Sequence, residues 1–534
     1  MSRNEGSPIR RSRGQWWWNP RVLGLLGVGL LVAGYAAWLV ARAAHDEAAP
    51  AAERSAQTST SAPAEPPARI CGNRALLDGP AQPPKGAVRV GTSRSLTNVT
   101  TQYPPGTTFW LAPGVHRLGP HRFDQVKPKP GDSYIGAPGA VLDGQHKNLY
   151  AFAGDASDVT VEHLTVRNFG ARAENNNEGV VNHDAATGWK VENNTVHGNA
   201  GAGVMVGSNN VVRNNCLADN GQYGFSAYHT GSVRHITIEH NEISGNNTDD
   251  WERRRPGCGC TGGGKFWMTL DAHVLDNWVH DNHGAGLWAD TNNAGFLIKG
   301  NYLSGNDAEG VIYEASYNAA VKDNTFVRNA LVKGPENPGF PTGALYLSES
   351  GSDERVRSRY SKVLEVTGNV FTDNWSGVIL WENSDRFAGS PANTSTGAGT
   401  LVNPEKVTAR TCNRRNIDEK PYIDDCRWKT QNVRVAHNVF NLRPTSVGAK
   451  CTASHGCGYN GIFANWGTYP SWSPYKGSAI QDRIVARQHN KFAHNVYAGP
   501  WTFMVKGQGL KVNWATWQSA PYGQDTNSVI KMGG

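Results

Sequence analysis

Charge is scarce in this chain: 18% of its residues are Asp, Glu, Lys or Arg. The formal net charge is +7, but residues 1–21 hold five Arg and one Glu, so +4 sits there and +3 is left for the rest. No basic stripe with interleaved aromatic residues follows on a recognisable nucleic-acid fold, so the high pI is no argument for a nucleic-acid partner. Helical periodicity is missing too. No apolar spacing of about 3.6 residues survives across a repeat unit, which excludes a helical bundle. Cysteine is limited to eight residues, the first of them Cys71. No complete catalytic signature is present, so the function must be read from the repeats.

What is abundant is one phrase, Asn-x-apolar-x-x-Asn. It starts at Asn194, Asn215, Asn241, Asn277, Asn301 and Asn324, with further copies at Asn369 and Asn490 and a partial one at Asn438. The first six recur after 21, 26, 36, 24 and 23 residues. A repeat in that range means stacked supersecondary units. Before the first Asn stands an apolar-x-apolar pair, such as Ile236 and Ile238. After the second Asn a Gly leads another alternating run, such as Gly286-Leu-Trp-Ala289. Alternation with period two reads as strand. Asn at the corners tolerates the left-handed backbone of a turn, and stacked amides can bond from one unit to the next. Three short strands and three turns per unit make one coil of a parallel solenoid. Over about residues 105–510 the pattern resembles the right-handed parallel β-helix repeat proteins of bacteria, the pectate-lyase-like superfamily. The resemblance implies an all-β, single-stranded right-handed parallel β-helix of about ten coils with loop insertions.

The N-terminal part reads differently. Residues 1–21 form a basic cytoplasmic tail. Val22–Val40 is uncharged and long enough to span a bilayer, so residues 22–41 are expected to be a single transmembrane anchor with the rest outside. A cleaved signal peptide, with Ala41-Arg-Ala43 as its site, is the alternative and would make the protein secreted. Residues 42–69 are Ala, Pro, Ser, Thr and Glu and read as a disordered linker. Residues 70–534 are the β-helix domain, carried on the outer face of a bacterial cell membrane. An even number of cysteines there favours disulfides, with Cys412–Cys426 and Cys451–Cys457 as local pairs. Cys71 and Cys216 have no evident partner. Cys258 and Cys260 are too close in sequence for an unstrained bond, and no zinc ligands stand nearby.

Candidate chemistry lies on the Gly-led strands. Aligned on the Gly, the second and fourth following residues face out. The second column reads Met205, Ser226, Trp267, Trp288, Ile312, Tyr346, Ile379, Phe463. The fourth reads Gly207, Tyr228, Thr269, Asp290, Glu314, Ser348, Trp381, Asn465. Aromatic rings facing water in a row suit the apolar faces of sugars, so Trp267, Trp288, Tyr346 and Trp381 are candidate substrate-binding residues. The bland reading is that they pack beneath inserted loops. Asp290 and Glu314 are one coil apart, on adjacent strands roughly 5 Å apart. Two carboxylates so close raise one pKa, which is what an acid/base pair needs. They are the catalytic candidates; a calcium site or a structural ion pair is the alternative, and no cofactor is certain. Glu349 and Glu382, just past the equivalent strands, join the substrate-binding candidates. Insertions at 247–265, 333–342, 350–361 and about 384–430 are expected to wall the binding face.

His183 follows Gly179-Val-Val-Asn182, which resembles the strand carrying Asp-Pro-His in mannuronan C5-epimerases. His183 matches that family's His and is a substrate-binding candidate; Val181 and Asn182 replace its Asp and Pro. Asn247-Thr-Asp-Asp250 is similar to one polygalacturonase motif, without that family's others. The Arg run in Trp251–Arg255 is a solvated loop or a clamp for an acidic glycan. These features lead us to expect a polysaccharide partner and a polysaccharide-degrading enzyme, hydrolase or lyase. A non-catalytic glycan-binding or envelope-adhesion module is the alternative.

Overall fold

The computed structural model describes residues 65–534 apart from 172–178, 183–185, 230, 337–341, 388–389, 391–406, 409, 453–455, 466–470, 476–478, 507–509 and 532–534. The basic tail, the apolar segment Val22–Val40, most of the expected linker and His183 therefore lie outside the described residues. Among the described residues no helix is long and apolar enough to cross a membrane.

Three strands and three turns per coil wind into three sheets of 13, 13 and 11 strands. The first sheet runs from Val88–Val90 to Lys491–Ala493 and the second from Gly114–His116 to Val529–Lys531. The third begins at Gly179–Val181 and reaches Thr502–Lys506. Strand pairing is parallel except where Lys511–Val512 folds back on Thr502–Lys506. Thirteen levels exceed the ten expected, because coils before Trp189 lack the Asn phrase yet pair in the same way, as Phe109 does with Tyr134.

The Asn ladder exists. Asn194 donates its amide to Asn215 (3.1 Å), Asn215 to Asn241 (3.0 Å), and Asn241 to Asn277 (2.9 Å). The ladder continues through Asn301, Asn324, Asn369, Asn438 and Asn495. A second runs from Asn199 to Asn374. Two sequence expectations need correction here. The left-handed residue of each corner is the one before the ladder Asn, such as Asn214 (φ 56°), His240 (φ 52°) and Asp276 (φ 53°). The ladder Asn is buried and satisfies backbone as well as side chain, a task that leaves no role in the turn itself. Likewise the last ladder member is Asn495, not Asn490; Asn490 instead accepts the Val433 N–H at the entrance to the first sheet.

Inside the coils apolar side chains stack level on level. Phe326, Phe371, Phe440 and Tyr497 lie 4.7, 4.8 and 4.8 Å apart by ring centroids. Both ends are covered. Helix Leu96–Gln102 buries Leu96 and Val99 at the first level. Helix Trp514–Gln518, where the sequence suggests a cap, buries Trp517, whose indole donates to Asp525 at 2.8 Å. Four disulfides are present: Cys71–Cys216, Cys258–Cys260, Cys412–Cys426 and Cys451–Cys457. The expected linker ends fixed, not free: Arg69 reaches Glu242 at 3.2 Å.

Candidate active site

The third sheet carries the site. Its middle strands are β1 (Phe225–Ala227), β2 (Gly264–Trp267), β3 (Leu287–Asp290), β4 (Val311–Glu314), β5 (Leu345–Ser348), β6 (Val378–Asn383) and β7 (Tyr459–Asn465). Inward residues such as Phe266, Leu287 and Tyr313 fill the core. Outward ones form the floor of a cleft of about 880 Å³. Its walls come from the insertions. Residues Asp250 to Thr261 form one side, with helix Trp251–Arg254 and the Cys258–Cys260 pair; Lys333, Thr342 and Arg386 contribute from the others.

The register differs from the sequence alignment at two strands. Lys265 pairs with Trp288 and Trp267 with Asp290. Phe463 pairs with Trp381. Both aromatic residues therefore belong to the fourth column, two positions from where the alignment on Gly placed them. The alignment started this strand from Lys265, whereas its true leading residue is Gly263, which accepts the Gly224 N–H; at the other strand Tyr459, not Gly461, leads and accepts the Gly377 N–H. A slip of two preserves the facing of every side chain, so the alternation gave no warning. The fourth column reads Tyr228, Trp267, Asp290, Glu314, Ser348, Trp381, Phe463. Two carboxylates lie between aromatic residues.

Asp290 and Glu314 are register partners on β3 and β4, as the sequence suggests. Each has its own cation. Lys265 Nζ lies 2.8 Å from Asp290 Oδ2, and Thr291 donates to Asp290 Oδ1 at 2.8 Å. Arg386 binds Glu314 and reaches Glu349 at 3.1 Å. The Trp288 indole donates to Glu314 at 3.1 Å. Burial pulls the Lys265 amine below its ordinary range, with Asp290 opposing. Lys265 also sits 3.3 Å from the Trp288 ring centroid, a close cation–π contact, and donates to the Gly259 carbonyl at 2.7 Å. Gly259 has φ +56°, and a Cβ there would fall 2.9 Å from Trp288, so only glycine fits this tip of the stapled loop.

Where calcium is the alternative reading, Lys265 and Arg386 stand against the two carboxylates. Among the described residues no three His, Cys, Asp or Glu side chains converge as metal ligands.

Of the substrate-binding candidates, Trp267, Trp288, Tyr346 and Trp381 all line the cleft. Trp267 and Trp288 are half-buried, while Tyr346 and Trp381 are 3% and 6% exposed and pack against each other at 6.0 Å. Glu349 is fully buried beneath Arg386. Its φ of 45° breaks the alternation after Ser348 and turns its carboxylate back toward Arg386. Burial raises its pKa, with Arg386 opposing and Glu314 adding. Glu382 is not at the cleft. Strand β6 continues two residues beyond Ser348's partner Trp381, so Glu382 keeps the alternation and points inward. There it pairs with Arg427 and accepts from Gln488 at 2.8 Å.

Three residues at the cleft were not singled out in the sequence. Lys265 was hidden by the register slip. Arg386 lies in an insertion with no periodicity to orient it. Glu309 precedes Gly310, in a turn the column alignment did not cover; it lines the cleft and is 6% exposed.

Residues 146–260 and 181–357 match the family described as right handed beta helix region. With the three parallel sheets, this match makes the fold a right-handed parallel β-helix. No curated protein matches it. Among solved structures it is similar to a mannuronan C-5 epimerase A-module of Azotobacter vinelandii: 14% identity over 56% of this chain and 89% of that one, TM-score 0.39. It is also similar to a GH87 α-1,3-glucanase catalytic unit of Streptomyces thermodiastaticus: 14% identity over 80% and 69%, TM-score 0.45. A third is a mannuronic acid specific family 6 polysaccharide lyase from human gut microbiota: 12% identity over 79% and 83%, TM-score 0.47.

Proposed function

We propose that this protein is a carbohydrate-active enzyme, a glycoside hydrolase that cuts a neutral polysaccharide laid in the third-sheet cleft. One observation carries the reading: the Asp290–Glu314 pair, each held by a cation, sits on the cleft floor between Trp267, Trp288, Tyr346 and Trp381. Sugar rings have apolar faces that stack on such rings, and glycoside cleavage runs on paired carboxyl groups.

Charge favours hydrolysis over elimination. Elimination from a uronate needs its carboxylate neutralised, a task suited to an unpaired side-chain cation. Here Arg253 is held by Asp250 at 2.8 Å, Lys333 by Glu336 at 3.0 Å, and Arg386 by two glutamates. We also place the enzyme at the cell envelope, on the strength of Val22–Val40 and the cysteines that follow it.

The test incubates the full-length chain with neutral and uronic-acid polysaccharides, with and without calcium. New reducing ends from a neutral polymer, with no new ultraviolet absorbance, are expected. Asp290→Asn should lower turnover by ~10²-fold or more while leaving the fold intact. Reducing ends together with absorbance would make it a lyase. Retention on a polymer without product would make it a binding module, in which case Trp288→Ala should abolish retention.

A further inference from the structure

From the geometry we infer that Glu309 is the proton donor of this cleft. The inference rests on the hydrolase reading and supplies what that reading lacks: a buried carboxyl group at the cleft with no cation against it.

The other acidic groups lining the cleft have partners. Asp250 has Arg253, Asp290 has Lys265 and Glu314 has Arg386. Glu252 accepts the Gly257 N–H. Glu309 differs. Among the described residues no Lys, Arg or His pairs with it, and the hydrogen bond it makes is to its own backbone N–H. Its surroundings give it no counter-charge. Counting two residues back from the paired Leu287, Val311 and Leu345, Glu309 stands between Ala285 and Gly343. The charged or titratable groups that feel it are Glu314, at the far end of β4, and the buried Tyr459 phenol on β7. Tyr459 is itself hydrogen-bonded to Ser376 and to the Thr342 backbone. Burial pushes the Glu309 carboxyl up to about 7, and the negative charge of Glu314 adds to the rise. A buried carboxyl with an open side toward a cleft and no cation is the environment that keeps a general acid protonated.

A glycan lies across the floor with its scissile oxygen beside Glu309. The Glu309 proton passes to that oxygen as the bond from the anomeric carbon to it breaks, giving one new hydroxyl end. Water adds to the anomeric carbon, its proton goes to the Glu314 carboxylate, and Asp290 beside it faces the positive charge that develops on the sugar ring. Return of that proton to Glu309 through solvent closes the cycle. The products are two shorter chains, one with a new reducing end.

The experiment uses the full-length chain, its Glu309→Gln variant and its Glu309→Asp variant on starch, β-glucan, dextran and mannan. Glu309→Gln should lower kcat/KM on whichever polymer the wild type cuts by ~10²-fold or more. The wild-type rate should fall as pH rises past about 7, and Glu309→Gln should lack that fall. Glu309→Asp, which keeps the carboxyl, should retain part of the rate. Infrared spectra at pH 6 should show a protonated-carboxyl band in the wild type that titrates away near neutrality and is missing in Glu309→Gln. Wild-type rate and pH profile in Glu309→Gln would overturn the assignment and leave the hydrolase reading standing. Absence of the titrating band in the wild type would overturn it whether or not the variant folds. No product from any polymer with the wild type would overturn the hydrolase reading and this assignment together.

Discussion

Glu242 shows how one buried side chain ties distant parts of the chain. It lies on the second sheet, fully buried, and accepts the N–H groups of Ile70 at 2.7 Å and Cys71 at 2.8 Å. Arg69 and His280 add bonds at 3.2 and 3.3 Å. Burial alone would lift its pKa; the donors together outweigh it and hold the carboxyl at about 2. The folded value is below the unfolded one, so the stabilisation is present above about pH 4.5 and is lost as pH falls toward 2. Glu242→Gln should therefore cost about 3 kcal/mol at pH 7, and less and less toward pH 2. Melting temperatures of both proteins across that range would check it. A gap that stays constant with pH would show that the clasp is not ionic. The Cys71–Cys216 bond beside it ties the same N-terminal segment to the neighbouring strand, where Cys216 is the register partner of Glu242, so the loss should appear as earlier melting and not as a detached N-terminal segment.

At the scale of the element, the corner between the first and second sheets is a chain of interlocked amides. Asn277 accepts from the Asn241 backbone at 3.0 Å and side chain at 2.9 Å, and donates to the Ile238 carbonyl and to Asn301. All of these groups are buried, so removing one amide leaves partners on both sides unsatisfied. Asn277→Ala should destabilise the protein by roughly 3 kcal/mol or more, since each orphaned buried group costs about 1–3 kcal/mol. An equivalent change at Asn209, an exposed residue outside the ladder, should cost far less. Chemical denaturation of both variants would decide; equal losses would mean the ladder adds nothing beyond the strands.

For the whole molecule the ends matter as much as the middle. Every coil is covered by its neighbours, and the terminal ones need a substitute. At the C-terminal end Asp525 closes the ladder, accepting from Asn495 at 2.9 Å, while Trp517 stacks on Phe503 at 4.9 Å. Deleting residues 513–534 would expose the last sheet edges and this aromatic surface. The shortened protein should self-associate, because bare sheet edges pair with one another. Size-exclusion chromatography would show this as higher oligomers at concentrations where the intact chain elutes as a single species. A truncated chain that elutes unchanged would show that the helix is dispensable.

The sequence by itself determined the solenoid, its three strands per coil and the face that carries Asp290 and Glu314. It could do so because alternation and the Asn phrase repeat over many coils, and each coil must satisfy the same burial and hydrogen-bonding demands. Tertiary structure alone decided the rest. Lys265 and Trp267 found their neighbours because the strand is led by Gly263, two residues before the start the alignment gave it, a slip that leaves side-chain facing unchanged. Glu382 turned inward to Arg427 and Glu349 back beneath Arg386 on a single difference in backbone φ, and both carboxylates read alike in the sequence. Arg386 and Glu309 come from a loop and a turn, where no period fixes direction. Whether a carboxyl keeps its proton depends on which cation reaches it, and that is settled only when the insertions close over the sheet.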